Sequence, residues 1–219
     1  LIIDLNLSDK VVVIIGGGNE AEKRINSLLN QNCKIFVLAP KYTKLIKELD
    51  AIRKIQLKKK KIHDASFITK YKPDIIITTT DDFKLNQKII NAAKKKKILT
   101  YSSDDPYSSD FANPAIIDFE NIIQIAIFTG GKSPAMSKKI KSKAQTVLKK
   151  IITKEEIGQI KIQKIAREEA KKTILSQKAR KDILLEIMAD KKIKQLIKDG
   201  QLKKAEKQAI ALLRDKNGT

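Results

Sequence analysis

The sequence has one cysteine, one histidine and no tryptophan. A lone Cys33 cannot close an intrachain disulfide, which points to a reducing compartment and an expected cytoplasmic location. Its place before a strand reads as a buried filler. A lone His63 excludes a histidine-rich metal site within one chain, and no resident metal is expected. Aromatic residues are only 5% of the chain, with no interleaved aromatic-basic pattern for stacking bases. No run approaches the roughly 18–20 apolar residues of a membrane span, so no membrane partner is expected. The opening LIIDLNLSDK lacks a basic n-region, and no secretory signal is expected. Acidic residues are also scarce: 25 against 46 basic ones, for a formal charge of +21.

Such a charge is one signature of a nucleic-acid binder. Here the lysines are spread along the chain and much of the apolar content is isoleucine, a composition equally suited to a thermophile or a biased genome. Only Lys58–Lys61 and Lys94–Lys97 form clusters, and the second reads as a solvated helix C-terminus. No nucleic-acid partner is expected. A positive field would suit a small polyanionic substrate instead.

The run Val11-Val12-Val13-Ile14-Ile15-Gly16-Gly17-Gly18-Asn19-Glu20-Ala21 carries the most information. Five consecutive β-branched residues suit a strand covered on both faces. From Glu20 to Asn30 the pattern is helical, with Ala21, Ile25, Leu28 and Leu29 on one face. Between them, Gly16-x-Gly18-x-x-Ala21 fits the dinucleotide fingerprint, in which a pyrophosphate rests on backbone N–H groups at a helix start.

Strands and helices then alternate. Lys34–Leu38, Ile52–Leu57, Asp74–Thr79 and Ile98–Tyr101 read as further strands, with a helix near Lys84–Lys95. That rhythm argues a parallel, doubly wound sheet with ligands beyond the carboxyl ends of its strands. After Tyr101 the rhythm changes. The turn-rich SSDDPYSSDFANP leads to Ala115–Asp118 and Ile122–Phe128, a hairpin around Glu120-Asn121. A second glycine turn, Thr129–Pro134, opens a helix to about Ile152. Beyond Glu155 the chain is helical, with seams at Ile183, Leu184, Ile187 and at Ile193, Leu196, Ile197. Asp199-Gly200 stops one helix and Leu202–Leu213 forms the last.

Several loops have two readings. The second strand ends Leu38-Ala39-Pro40-Lys41, without the carboxylate that holds the ribose in many NAD enzymes. Either neighbouring groups hold the ribose, or Lys41 or Lys44 tolerates the 2′-phosphate of NADP. The missing acid counts against a nucleotide-sensing regulatory domain. In Thr78-Thr79-Thr80-Asp81-Asp82, an aspartate could cap a helix while Thr80 faces a cofactor. Asp104 and Asp105 follow the fifth strand, where a carboxylate could act as general base; Asp110 lies further into the loop. Gly130-Gly131-Lys132-Ser133-Pro134 lacks the first glycine of a phosphate loop, which excludes that class of NTPase. Its N–H groups could bind substrate carboxylates, or Ser133 could cap the helix.

Six co-linear motifs resemble one family, the precorrin-2 dehydrogenases that also form the N-terminal module of siroheme synthases. They are Val11–Ala21, Val37–Pro40, Thr80–Asn86, Asp104–Pro106, Phe111–Ala115 and Thr129–Pro134, and the helical tail Leu185–Leu213 is similar too. The resemblance implies an α/β fold: a Rossmann-like NAD-binding domain over 1–112, a dimerisation and substrate segment over 113–152, and an all-α domain over 153–219. It implies NAD-dependent oxidation of precorrin-2 to sirohydrochlorin by a homodimer. The family's catalytic aspartate falls on Asp104. Its cofactor contacts fall on Gly18, Asn19, Glu20, Pro40, Lys41 and near Thr80, beside the fingerprint's Gly16. Ser133 and Gly131 fall beside the polycarboxylate tetrapyrrole substrate. Some members also insert iron into sirohydrochlorin, a task Asp104 would have to serve here. The methyltransferase module of fused members does not follow Lys216–Thr219, so methylation is not expected. A redox sensor that binds NAD(H) without turnover is the other alternative.

Overall fold

The computed structural model describes residues 2–215, so the extreme ends of the segments expected over 1–112 and 153–219 lie outside the described residues. The chain divides between Asn113 and Pro114 into two compact units.

The first unit is Rossmann-like. Its strands are β1 (Val11–Ile15), β2 (Lys34–Ala39), β3 (Gln56–Lys59), β4 (Ile75–Thr78) and β5 (Leu99–Ser102). They form one parallel sheet in the order β3-β2-β1-β4-β5. The connecting helices are α1 (Asn19–Leu28), α2 (Lys44–Ala51), α3 (Phe67–Tyr71) and α4 (Phe83–Lys95). Side chains alternate across a strand, so β1 feeds two cores. Val12 and Ile14 join Ala21, Ile25 and Ile46 on one face. Val13 and Ile15 join Phe67, Ile89 and Ala93 on the other. Both faces being covered explains the unbroken β-branched run.

The third strand begins later than its apolar residues suggest. Ile52 caps α2, Arg53 turns through φ 58°, and Ile55 is buried in the turn before β3. The strand itself, Gln-Leu-Lys-Lys, lies at the sheet edge. Exposed lysines on an edge oppose pairing with another chain, which is why this strand shows no apolar alternation. β1 has its expected bounds, and β2, β4 and β5 agree with expectation to within a residue at either end.

Asp74 joins β4 to β1. Its carboxylate accepts from Val11 N–H at 2.9 Å and from Lys10 Nζ at 3.1 Å. The Val11 hydrogen bond first, then the lysine, outweighs desolvation and holds this carboxyl below the usual aspartate range. A depressed folded-state pKa gives stability that is present above the unfolded value, ~3.9, and is lost as pH falls through the folded one. Thermal melts across acid pH should therefore show a loss that Asp74→Asn reduces. An identical acid profile in that variant would remove Asp74 as a source.

The second unit begins with the hairpin β6 (Ala115–Phe119) and β7 (Ile123–Ile127), paired antiparallel. Glu120 and Asn121 have φ of 56° and 55°, as a type I′ turn requires. Helices α5 (Pro134–Ile151), α6 (Lys154–Thr173), α7 (Gln177–Ala189), α8 (Lys191–Lys198) and α9 (Leu202–Asp215) follow. Thr153 and Glu156 form a capping box at the start of α6. The expected seam residues Ile183, Ile187, Ile193 and Ile197 are buried with Ala166, Ala170, Ala205 and Leu213. Gly158 lets α6 approach α8: a Cβ there would lie 2.4 Å from Ile197 Cγ2. Among the described residues no helix is long and apolar enough to cross a membrane.

Candidate active site

The three glycines after β1 have different physical jobs. Gly16 takes φ 119°, and a Cβ on it would sit 2.3 Å from Thr79 Oγ1. Gly17 meets the β2 loop: its Cβ would be 2.2 Å from the Lys41 carbonyl and 2.8 Å from Tyr42 Cδ1. Gly18 faces open space and is the N-cap of α1, with no side-chain cap. The first N–H groups of a helix have no intrahelical acceptor. Here they open onto a surface where no side chain competes with an anion. This cradle fits a pyrophosphate.

Next to Gly18, Asn19 is exposed and Glu20 half-buried. Burial alone would raise the Glu20 carboxyl, but hydrogen bonds and charge from Lys23 and Arg24 bring it below the usual glutamate range. Its negative charge is thus compensated beside the cradle. The Arg24 guanidinium also lies 4.7 Å over the Tyr101 ring.

A cleft of about 540 Å³ opens beside the carboxyl ends of β1, β2 and β4. Gly16, Pro40 and Thr80 line it, together with Ile62, His63 and Leu85. Lys41 is exposed, and its carbonyl serves the turn by meeting Gly17. Lys44 faces Glu48 at 3.8 Å. The sequence pattern missed Lys61, Ile62 and His63. Lys61 ends the Lys58–Lys61 cluster, and no periodicity marks the two residues after it.

Asp104 stands at the end of a hydrogen-bonded path. Its Oδ2 accepts from Asn86 Nδ2 at 2.9 Å and its Oδ1 from Ser102 Oγ at 2.5 Å. Asn86, 1% exposed, donates its other amide hydrogen to the Thr80 carbonyl at 2.8 Å. Its Oδ1 accepts from Thr80 Oγ1 at 2.7 Å. That pattern allows only one orientation of the amide. Ser102 has spent its single proton on Asp104, so it accepts from Thr78 Oγ1 at 2.8 Å. Two buried side chains on neighbouring elements therefore aim one exposed carboxylate. In sequence Asn86 closes the Thr80–Asn86 motif, but neither it nor Ser102 has a role assigned there. Only the fold turns Asn86 toward Asp104.

The neighbouring carboxylates are committed elsewhere. Asp105 accepts from Tyr107 N–H, Ser108 N–H and Gln87 Nε2, capping the turn Pro106–Ser108. Asp110 accepts from Thr100 N–H and Oγ1, tying the loop to β5. Asp82 caps α4 through Leu85 N–H.

In the second unit, Gly130 and Gly131 take φ of 63° and 74° in the turn before α5. Ser133 Oγ accepts from Met136 N–H at 3.2 Å, capping that helix. Its hydroxyl oxygen does structural work there, and the Lys132 and Ser133 N–H groups already donate to the Thr129 carbonyl and Oγ1, which leaves the Gly130 and Gly131 N–H groups toward a ligand. Among the described residues no cluster of metal-ligating side chains occurs.

Residues 3–115, just over half of the chain, match the family model described as "Putative NAD(P)-binding". Siroheme synthase from Photorhabdus laumondii subsp. laumondii is 29% identical over 208 residues, 94% of this chain and 42% of that protein. Siroheme synthase from Methylococcus capsulatus is 31% identical over 146 residues, 67% of this chain and 30% of that protein. The one from Nitrosospira multiformis is 28% identical over 151 residues, 67% and 31% respectively. The chain thus spans less than half the length of these relatives. Among solved structures, SirC, a precorrin-2 dehydrogenase, shares the fold with a TM-score of 0.70 at 23% identity, covering 94% of this chain and 99% of that one.

Proposed function

The chain belongs to the NAD(P)-binding family that its first half matches, and from that premise we propose that it oxidises precorrin-2 to sirohydrochlorin with NAD as the hydride acceptor. The names of its siroheme synthase relatives and the shared fold with SirC support this choice of reaction. The single observation that carries it is the path from Thr80 through Asn86 to Asp104.

In this reading the N–H groups at Gly18, Asn19 and Glu20 hold the cofactor's pyrophosphate, Pro40 and Lys41 border its adenosine end, and Gly16 and Thr80 flank the cleft. When bound, the nicotinamide supplies the hydride acceptor. The substrate loses two hydrogens, one as hydride and one as a proton. Asp104 takes the proton at its carboxylate and releases it to water, so NAD⁺ and precorrin-2 give NADH, H⁺ and sirohydrochlorin. Asn86 and Ser102 hold that carboxylate in place as it changes charge. The Gly131 N–H group and the Ser133 hydroxyl proton receive substrate carboxylates.

The test is an anaerobic mixture of full-length protein, NAD and precorrin-2. NADH should appear together with the sirohydrochlorin spectrum, in equal amounts. Absence of both would overturn the reading. Parallel runs with NADP compare the two cofactors, and ferrous or cobaltous ion added with sirohydrochlorin assays metal insertion.

The reading includes a homodimer. Helix α5 is 18 residues long, yet its only buried residue is Ser137. Met136, Ile140, Val147 and Ile151 are exposed at spacings that put them on one helical face. An apolar stripe of this kind is suited to a second copy. Ile140→Glu with Val147→Glu should halve the mass measured in solution at micromolar concentration. An unchanged mass would place the interface elsewhere, and a monomeric parent protein would exclude it.

A further inference from the structure

The second unit carries a groove of about 790 Å³ between α6 and α7 that the proposed reaction does not use. Arg167 and Lys171 stand on α6, one helical turn apart, and Lys178 and Lys181 face them from α7. Arg180 is fixed at the end of the groove, donating from Nη1 to the carbonyls of Ile174 and Leu175 at 2.7 and 2.9 Å. None of these five cations makes an ion pair among the described residues, and no carboxylate lines the groove. Between the cations the lining is mostly apolar: Leu184 is half-buried, Leu185 and Met188 are 48% and 45% exposed, and of the two glutamines there Gln163 donates to the Leu184 carbonyl at 3.0 Å. From Gln177 to Met188 the groove follows α7 for about 16 Å, at 1.5 Å per residue.

An apolar strip with unpaired cations around it is complementary to a ligand that is apolar across its face and anionic at its edge. We propose that this groove is a second binding site for an amphipathic polycarboxylate, the tetrapyrrole substrate or product, and it shares no residue with the reacting site. The choice of ligand rests on the dehydrogenase reading; the groove's charge and shape do not. An inorganic anion would leave the apolar strip wet, and an uncharged ring would leave the cations unused. Only a ligand with both parts uses the whole lining. Such a site would retain the macrocycle near the protein before or after turnover.

The test uses uroporphyrin, a fully oxidised polycarboxylate tetrapyrrole, titrated by fluorescence against the full chain. A cationic water-soluble porphyrin and polyglutamate serve as controls. The triple variant Arg167→Glu, Lys171→Glu, Lys181→Glu should lose one class of uroporphyrin sites, with at least about a tenfold drop in that affinity. Its melting temperature and its turnover of precorrin-2 at saturating substrate should stay unchanged, since all three side chains are exposed. Lys171→Arg with Lys181→Arg should bind like the parent. A triple variant with the parent's isotherm would overturn the site. Polyglutamate displacing uroporphyrin at equal charge concentration would also overturn it, leaving a cationic strip without selectivity for the macrocycle. Loss of the groove class in a protein that shows no precorrin-2 oxidation would uphold the groove and sink the dehydrogenase reading, so the two fail separately.

Discussion

Replacing Asp104 by alanine is expected to lower kcat for precorrin-2 oxidation by about 10²–10⁴-fold, the usual contribution of a positioned proton acceptor. Affinity for NAD should change little, because the cofactor cradle is built by Gly16–Gly18 and the start of α1. The fold should survive. Asp104 is exposed, so water replaces it as acceptor for Asn86 and Ser102. Turnover, NAD affinity and melting temperature, measured on one preparation, separate these effects. Normal turnover would take Asp104 out of the mechanism. Asp105→Asn and Asp110→Asn provide the contrast. Their carboxylates hold the loop together, so their cost should appear first in the melting temperature.

The second large effect lies in the glycine turn. Gly17→Ala should destabilise the first unit by about 3 kcal/mol or more, at the upper end of overpacking costs. The added carbon would meet the Lys41 carbonyl at 2.2 Å, and a backbone atom cannot swing aside as a flexible side chain can. Gly18→Ala is the opposite case. A Cβ there touches nothing within 4 Å, so the melting temperature should hold. Yet the methyl enters the space in front of the free N–H groups of α1, and NAD affinity should fall by about tenfold, or ~1.4 kcal/mol. Denaturation curves and NAD titrations on the two variants read both quantities. Equal NAD affinity in Gly18→Ala and the parent would remove this turn as the phosphate cradle. A Gly17→Ala variant as stable as the parent would show that the β2 loop can retreat.

Those two glycines also mark where local pattern stops being informative. In sequence, Gly16 and Gly18 fill the fingerprint and Gly17 is only its variable position. In the folded chain Gly16 meets Thr79 after β4, Gly17 meets Lys41 and Tyr42 after β2, and Gly18 meets nothing within 4 Å. The third strand shows the same limit. Its apolar residues Ile52 and Ile55 belong to a helix cap and a turn, while the strand itself is lysine-rich. Edge position decided that, and edge position is not a local property.

By itself, the sequence determined the class of fold and the order of its parts. The β-branched run, the fingerprint turn, the hairpin at Glu120-Asn121 and the helical seams are all local or periodic signals, set by backbone geometry and by which face must be buried. It also nominated Asp104 and Asp105, by their place after the fifth strand, and the family resemblance narrowed the pair to Asp104. Tertiary structure alone decided what holds each of the three nearby aspartates. Asp105 is taken up by backbone N–H groups within the loop and Asp110 by Thr100 of β5, whereas Asp104 is held by Asn86 from α4 and Ser102 from β5. Ser102 is a local partner, two residues away, but Asn86 reaches Asp104 only when α4 is packed against the sheet, because nothing in the backbone geometry of a helix directs its side chain to a loop 18 residues later.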